Sequence, residues 1–286
     1  MYWVLIADLD IGRLFLLMVL LIAISMFSSN LGIGGGVFQV VVLLMLLPGN
    51  PAIPGSPTMA EVVPISLAFA CITNISSTYN HWKKGLVDFK IGAYVLITAL
   101  LGAILGALFT VNVRQFWVML LFVVVLLAIT IRMVYRFVKK MRGDKAQEKE
   151  DIGKMTPAHI AVVVAFSIVT GFVSGSIGIG GGIVTVSLLI ILLGFTTRKA
   201  IGTSAFTIPA ITVFGFLTYA YTDLTDVNYS INYLLILILA PVVLIGSFIG
   251  SKIGLKFVKT EVIEGAFICV LMVVMCKMAY ETYFAF

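Results

Sequence analysis

Gly32-Ile33-Gly34-Gly35-Gly36 and Gly178-Ile179-Gly180-Gly181-Gly182 are the same five residues, present twice in one chain at a separation of 146 positions. Each copy lies inside an apolar run, 14–47 or 158–193. Both runs are far longer than the roughly 20 residues that cross a bilayer as a helix. Four glycines in five residues are poor helix interior, because glycine loses the most backbone entropy on folding. We therefore predict that each run forms two half-helices that meet at a glycine turn inside a membrane.

The composition is that of a membrane protein. The chain is 61% hydrophobic and 11% charged, with a mean hydropathy of +1.14. Apolar runs of spanning length recur along the chain, whereas the strands of a β-barrel are short and alternating, so a polytopic helical protein is predicted. Asp8 and Asp10 precede the first apolar run, which lacks the basic start and cleavage site of a signal peptide. We expect that segment to be retained.

Charge and cysteine content exclude several other classes. The three cysteines, Cys71, Cys269 and Cys276, lie in apolar stretches without metal-ligand spacing, so neither a disulfide framework nor a metal site is expected. The net charge of +6 comes from basic residues in loops beside apolar runs, which is information about topology and not a signal for nucleic acid. There is no Walker A loop, G-x-G-x-x-G, H-E-x-x-H or G-x-S-x-G pattern, so we expect a non-enzymatic protein without a cofactor.

Further landmarks make the duplication an internal repeat. Gly102-x3-Gly106 recurs as Gly246-x3-Gly250 after 144 positions, and Pro64 recurs as Pro209 after 145. Three landmarks in the same order predict a first membrane repeat over 1–137, a cytoplasmic linker over 138–157 and a second repeat over 158–286. The Gly-x3-Gly patterns suit close helix packing. Predicted spans lie near 58–80, 91–110, 116–135, 200–221, 231–250 and 262–280.

The distribution of basic residues among the loops distinguishes two possible arrangements of the repeats. If each broken run crosses the membrane, every repeat has four spans and the repeats are parallel. If each run turns back at its glycines, every repeat is a re-entrant hairpin followed by three spans, and the repeats are inverted. The hairpin arrangement puts the basic loops 81–90, 136–155, 194–200 and 251–260 on one side and the acidic loop 222–229 on the other. Because positive loops stay in the cytoplasm, we predict inverted repeats with both termini outside.

At these residues the chain resembles a known family. The chain is similar to the sulfite exporter TauE/SafE family of membrane permeases. The resemblance rests on the two Gly-x-Gly-Gly-Gly turns, on Lys84-Gly85-Leu86-Val87-Asp88 after the next span of the first repeat, and on Arg198-Lys199-Ala200-Ile201-Gly202-Thr203-Ser204 after the second turn. The resemblance implies a secondary transporter that exports sulfite, sulfoacetate or related anions across the cytoplasmic membrane. Two positions depart from it. Val41 and Ser187 stand where members often carry proline, and Thr58-Met59 stands where the second repeat has Thr203-Ser204, which argues against symmetric substrate contacts.

The glycine turns are also suited to hold an anion on physical grounds. A helix broken in mid-membrane leaves free N–H groups at the start of its second part, where the dipole is positive. Glycine lets a ligand approach that backbone closely. In the hairpin arrangement the two starts converge near the midplane. The candidate substrate-binding residues are Asn30, Gly34, Gly35, Gly36, Gln39, Thr58, Ser176, Gly180, Gly181, Gly182, Thr185, Thr203 and Ser204, with Ser28, Ser29 and Ser174 nearby.

Other roles for these residues stay open. Glycine turns and small hydroxyls also pack helices closely and satisfy backbone groups freed by a break. Glu61 lies just inside an apolar span where the second repeat has Phe206, so it is a candidate carrier of a coupling proton, or a solvated carboxylate at a span end. His81 and His159 sit at span edges and are not expected to form a metal pair.

The sequence therefore predicts a secondary transporter of a small sulfur-containing anion embedded in the lipid bilayer. A passive anion channel, and a membrane receptor or scaffold that binds without transport, are the alternatives. The identity of the anion, the direction of transport, the coupling ion and the formation of a homodimer stay open at this stage.

Overall fold

The computed structural model describes residues 10–31, 34–47, 57–141, 157–226 and 229–257. All regular structure within these ranges is helical. In chain order the helices are α1 (Ile11–Leu31), α2 (Gly36–Leu46), α3 (Met59–Trp82), α4 (Phe89–Asn112), α5 (Gln115–Met141), α6 (Pro157–Ile177), α7 (Gly182–Leu193), α8 (Thr197–Thr225) and α9 (Tyr233–Phe257).

The breaks predicted inside the two long apolar runs are present. α1 ends one residue before Gly32, and α6 ends one residue before Gly178. Each of these helices has 21 residues and is about 31 Å long at the rise of an α-helix. Only the second members, α2 and α7, are half-length, with 11 and 12 residues. The first members are longer than the predicted half-helices because each apolar segment stays helical up to its glycine cluster, and α6 continues through Gly171 and Gly175.

Six helices of the described ranges are long and apolar enough to cross a membrane: α1, α3, α4, α6, α8 and α9. This confirms the predicted polytopic architecture. α5 continues to Met141, so the start of the predicted linker is helical. The predicted final span, most of the proline-rich stretch 48–57, and Cys269 and Cys276 lie outside the described residues.

Glycine patterns join helices of different repeats. The Gly102-x3-Gly106 pattern of α4 lies against the backbone of Ile168 in α6, and the Gly246-x3-Gly250 pattern of α9 lies against the backbone of Met26 in α1. A Cβ at Gly102 or Gly250 would overlap a main-chain carbonyl oxygen. The predicted role of these patterns in close packing is confirmed. The fourth helix of each repeat thus packs against the first helix of the other repeat: α4 against α6, and α9 against α1.

The equivalent helices α3 and α8 pack against each other in antiparallel directions. Thr78, near the end of α3, donates a 2.6 Å hydrogen bond to the carbonyl of Ala205, near the start of α8. Leu67, nearer the start of α3, contacts Gly215 further along α8. Because equivalent helices of parallel repeats would run in the same direction, this antiparallel course favours the inverted arrangement.

A proline in each central helix frees a carbonyl that the other repeat then binds. Pro64 has no N–H to bond the carbonyl of Ala60, and the hydroxyl of Tyr229 donates to that carbonyl at 2.8 Å. Burial raises the pKa of the Tyr229 phenol far above its usual range, with Tyr219 and Asp223 adding to the effect. The phenol therefore keeps its proton and stays a donor.

Pro209 of α8 frees the carbonyl of Ala205 in the same way, and this is the carbonyl that Thr78 binds. The two proline positions are equivalent, and each freed carbonyl accepts from a hydroxyl of the opposite repeat. The prolines therefore join the repeats at two points, one between α3 and α8 and one between α3 and the segment that follows α8.

Contacts at the ends of the bundle agree with hairpins. The Lys199 Nζ atom lies 3.1 Å from the Asp88 carboxylate, and the backbone N–H of Asp88 donates to Thr203 Oγ1 at 3.0 Å. The loop before α4 and the start of α8 thus lie at one end of the bundle. The contact between Tyr229 and Ala60 lies at the other end. If the broken runs crossed the membrane completely, each of these pairs would be on opposite sides.

Candidate functional site

The two glycine turns touch each other at the middle of the α3–α8 pair. Gly36 lies so close to the backbone of Gly178 and Ile179 that a Cβ there would overlap the Gly178 carbonyl oxygen. The buried hydroxyl of Ser66 donates to the Gly178 carbonyl at 2.8 Å and lies 3.2 Å from the Gly36 carbonyl oxygen. The predicted convergence of the two turns is therefore present, with Ser66 bound to both.

Left-handed glycines set the course of both turns. Gly34 and Gly35 have φ of 82° and 70°, and Gly180 and Gly181 have φ of 79° and 72°, a conformation that side chains disfavour. Gly35 and Gly181 are the N-caps of α2 and α7, and no side chain caps either helix start in the part of the chain described. The positive ends of two helix dipoles, without a side-chain cap, therefore face the protein interior.

Three polar side chains surround the first turn. The Cβ position of Gly35 lies 2.5 Å from Ser28 Oγ and 3.4 Å from Gln39 Nε2, and that of Gly34 lies 3.1 Å from Asn74 Nδ2. All three side chains are buried, at 1% exposure or less. Within the described residues, Ser28 Oγ, both polar atoms of Gln39 and Asn74 Oδ1 have no hydrogen-bond partner. Such groups are costly to bury, so their concentration at one point marks a candidate binding site.

Polar groups at the second turn are mostly paired. Thr185 Oγ1 donates to the Gly181 carbonyl at 3.0 Å, and Ser204 Oγ donates to the Gly182 carbonyl at 3.3 Å. Ser174 Oγ is the one side-chain atom near this turn that is buried without a partner among the described residues. The second turn thus offers fewer free groups to a ligand than the first.

Thr58 and Glu61 form a capping box at the start of α3. Glu61 N–H donates to Thr58 Oγ1 at 3.3 Å, and Thr58 N–H donates to the Glu61 carboxylate at 2.9 Å. This arrangement satisfies two N–H groups of the helix start. The Glu61 carboxylate thus has a structural partner, and the pair lies at the start of α3, away from the turns beside the middle of that helix. Its predicted role in proton coupling stays a prediction.

The remaining predicted hydroxyls lie elsewhere. α8 begins earlier than predicted, so Thr203 lies inside the helix, bound to Asp88 at the end of the bundle. Ser176 Oγ donates to the Phe172 carbonyl of its own helix at 2.7 Å. Ser29 Oγ likewise donates to a carbonyl of its own helix. Asn30 belongs to α1, and its side chain lies outside the described part of the structure.

Asn74 and Ser66 were not among the predicted site residues. Both are polar residues in the apolar α3, and both are fully buried. A polar side chain inside a spanning segment was the available signal, since such residues are rare and face the bundle interior. α3 contains several other Ser and Thr residues, however, so the signal did not single out these two.

Among the described residues, the side chains nearest to the first turn include no charged group. The side chains nearest to Gly34 and Gly35 are Ser28, Gln39, Asn74 and Ile208. In the described ranges no group of three His, Cys, Asp or Glu residues is placed to hold a metal ion. Positive potential at the turn therefore comes from the helix starts.

Broken helices that meet at a buried polar centre, inside a bundle of apolar spans, define a polytopic membrane protein of the transporter type. Comparison with known families makes this assignment specific. The family described as "Sulfite exporter TauE/SafE" matches residues 16–278. The chain belongs to this family of membrane transporters.

Curated relatives are named in the same terms. The chain is 28% identical over 267 residues to the probable membrane transporter protein YunE of Bacillus subtilis, covering 90% of this chain and 94% of the relative. It is 29% identical over 245 residues to a probable membrane transporter protein of Methanocaldococcus jannaschii, covering 84% and 86%. No solved structure matches the chain.

Proposed function

We propose that the protein is a secondary transporter that exports small sulfur-containing anions, such as sulfite or sulfoacetate, across the cytoplasmic membrane. Membership of the TauE/SafE family supports the class of substrate. The anion binds at the first glycine turn, Gly34–Gly36, in contact with the uncapped start of α2. The second turn, Gly180–Gly182, closes the site from the other repeat.

The observation that carries the proposal is the group of unpaired polar atoms beside an uncapped helix start. The start of α2 has no side-chain cap, and a helix start attracts anionic oxygens because the helix dipole is positive there. Ser28 and Gln39 supply a hydroxyl and an amide next to Gly35. Without a Lys or Arg in contact, the site holds a small anion loosely enough to release it, which transport requires.

The proposed mechanism is alternating access between inverted repeats. Contacts between the repeats hold the α3–α8 pair at each end, through Asp88, Lys199 and Thr203 at one end and Tyr229 and Ala60 at the other. Breaking one set of contacts while keeping the other exposes the central turns to one side of the membrane at a time.

Flux measurements on the purified protein in proteoliposomes test the function. We expect sulfite to accumulate against its gradient and the rate to respond to pH. Flux that only dissipates gradients would select the passive channel, and binding without flux would select the receptor.

Gln39→Leu tests the position of the site in the same assay. We expect at least about a hundredfold loss of flux with no loss of thermal stability, because the change removes two unpaired buried atoms. Ser187→Ala is the matched control, since the Ser187 hydroxyl is buried in α7 and bonded to its own helix. An active Gln39→Leu variant would place the anion elsewhere.

The proposed topology has both termini outside and the linker inside. Single cysteines at 84 and 198 should react with an impermeant thiol reagent from the cytoplasmic side, and one at 224 from the outside, in a background that lacks the native cysteines. Leu224 and Lys84 are both exposed. Labelling of positions 84 and 198 from opposite sides would contradict the hairpin arrangement.

A further inference from the structure

The amide of Asn74, whose nitrogen lies 3.1 Å from the Cβ position of Gly34, has a fixed orientation that shows which of its two polar atoms lacks a partner. Its nitrogen donates to the carbonyl of Ala70 at 2.7 Å. A carbonyl oxygen only accepts, so the atom next to it must be the nitrogen, and the usual ambiguity of an amide flip does not arise. The unpaired atom of this fully buried residue is therefore Oδ1, a hydrogen-bond acceptor.

Gln39 adds a second acceptor in either orientation of its amide. Both its Oε1 and its Nε2 are buried and unpaired in the described structure. Exchanging the two atoms leaves one acceptor and two N–H donors available. The first turn thus combines donors, from the start of α2 and from Gln39, with two acceptor oxygens that need a partner.

A ligand that has only acceptor oxygens leaves the amide oxygens of Asn74 and Gln39 without a hydrogen-bond donor. Anionic oxygens pair with the N–H groups, but they repel amide oxygens, which stay desolvated without a partner at a substantial free-energy cost. A dianion is disfavoured further, because one helix start supplies about half a positive charge and no cationic side chain lies next to the turn.

We infer that the transported ligand is a monoanion that carries an O–H or N–H donor in addition to its anionic oxygens, and that Asn74 determines this specificity. Hydroxy-substituted sulfonates and hydrogen sulfite fit this description, whereas sulfoacetate, a dianion without a donor, does not. The inference rests on the proposed function, since it concerns the same site, and it narrows the substrate class. Asn74 Oδ1 accepts a hydrogen bond from the O–H or N–H group of the ligand. The amide N–H groups of Gln39 and the start of α2 bind the anionic oxygens.

Two probes of equal charge and similar shape test the inference: 2-hydroxyethanesulfonate and propane-1-sulfonate, in which a methyl group replaces the hydroxyl. Binding to the purified full-length protein is measured by isothermal titration calorimetry. We expect the hydroxylated probe to bind at least about tenfold more tightly, because the other probe leaves an acceptor unpaired. Asn74→Leu should reduce this preference to less than about threefold, without weakening propane-1-sulfonate.

Thr73→Val is the matched control. Thr73 is the neighbouring residue of α3, equally buried, and its hydroxyl donates to Phe69 of its own helix at 2.9 Å. This variant should keep the full preference. Asn74→Ala serves as a second variant if Asn74→Leu does not fold, and the preference of the unmodified protein is a test that needs no variant.

Each result decides one point. Equal binding of the two probes to the unmodified protein would overturn the inference while leaving sulfonate transport in place. A preference that survives in both Asn74 variants would overturn the assignment to Asn74. Binding of neither probe would contradict the proposed function and the inference together.

Discussion

The two glycine turns have the same five residues, and Gly34 and Gly35 have nearly the same φ angles as Gly180 and Gly181, yet the surroundings of the turns differ. Gln39 follows the first turn, and the position 146 residues later is Thr185. Gln39 is unpaired within the described structure, whereas Thr185 donates to a carbonyl of the second turn. Asn74, beside the first turn, corresponds to Tyr219 after 145 positions, and the Tyr219 hydroxyl donates to Gly175 at 2.9 Å.

The difference shows how duplicated halves can specialise. Glycine is kept at both turns because the left-handed backbone and the close contact between the turns require it. The side chains around that backbone are free to differ. At the second turn they satisfy carbonyls released by the break, and at the first turn they leave polar atoms for a ligand. The difference fits our proposal, in which the second turn supports the fold and the first turn binds the ligand.

The largest effect is expected from breaking the contact between the turns. Gly36→Ala adds a methyl group where the Gly178 carbonyl oxygen lies, and backbone atoms on both sides cannot move away cheaply. We expect a loss of more than about 4 kcal/mol in the free energy of unfolding, and hence little folded protein. Size-exclusion chromatography of a fluorescent fusion measures the folded yield.

Gly12→Ala is the control for that experiment. Gly12 is also helical, but the nearest atom to a Cβ there is 3.8 Å away, so the change should be neutral or slightly stabilising. A normal yield of Gly36→Ala would show that the turns are not in close contact.

An intermediate effect is expected from Tyr219→Phe. The change leaves the Gly175 carbonyl without its partner in a fully buried place. We expect a loss of about 1–3 kcal/mol of stability, while transport per folded molecule changes little. Thermal unfolding and normalised flux measure the two quantities. A large loss of flux at unchanged stability would give the second turn a direct part in transport and contradict the division between the turns.

The smallest effect on stability is expected from Glu61→Gln. Glutamine also forms a capping box with Thr58, so the change should cost less than about 0.5 kcal/mol. If Glu61 carries the coupling proton, the variant should bind substrate normally but lose the pH dependence of uptake into proteoliposomes. An unchanged pH profile would leave Glu61 with its capping role alone.

Much of the architecture was predictable from local properties of the sequence. Apolar length determines which segments span a membrane, and clustered glycines determine where a helix stops. The duplicated landmarks and the basic loops pointed to inverted repeats, and the antiparallel α3 and α8 agree with that interpretation. The position of the break was predicted correctly, since α1 ends at Leu31, directly before the glycine turn.

The candidate site was predictable in part. The glycine turns, Gln39 and Ser28 were identified from the sequence, because they lie within a few residues of the break. Asn74 was not, although its amide lies beside Gly34, since the two are forty positions apart and only helix packing brings them together.

The sequence by itself determined the class of protein, the repeat and the backbone of the turns, because these follow from hydrophobicity, glycine and charge along the chain. Only the tertiary structure decided which polar groups are paired. Thr185 and Gln39 look equally suited to bind a ligand in the sequence. In the described structure, however, the Thr185 hydroxyl donates to the Gly181 carbonyl, whereas the Gln39 side chain has no hydrogen-bond partner. Hydrogen-bond satisfaction depends on distances of a few tenths of an ångström between packed helices, and such distances have no counterpart in the sequence.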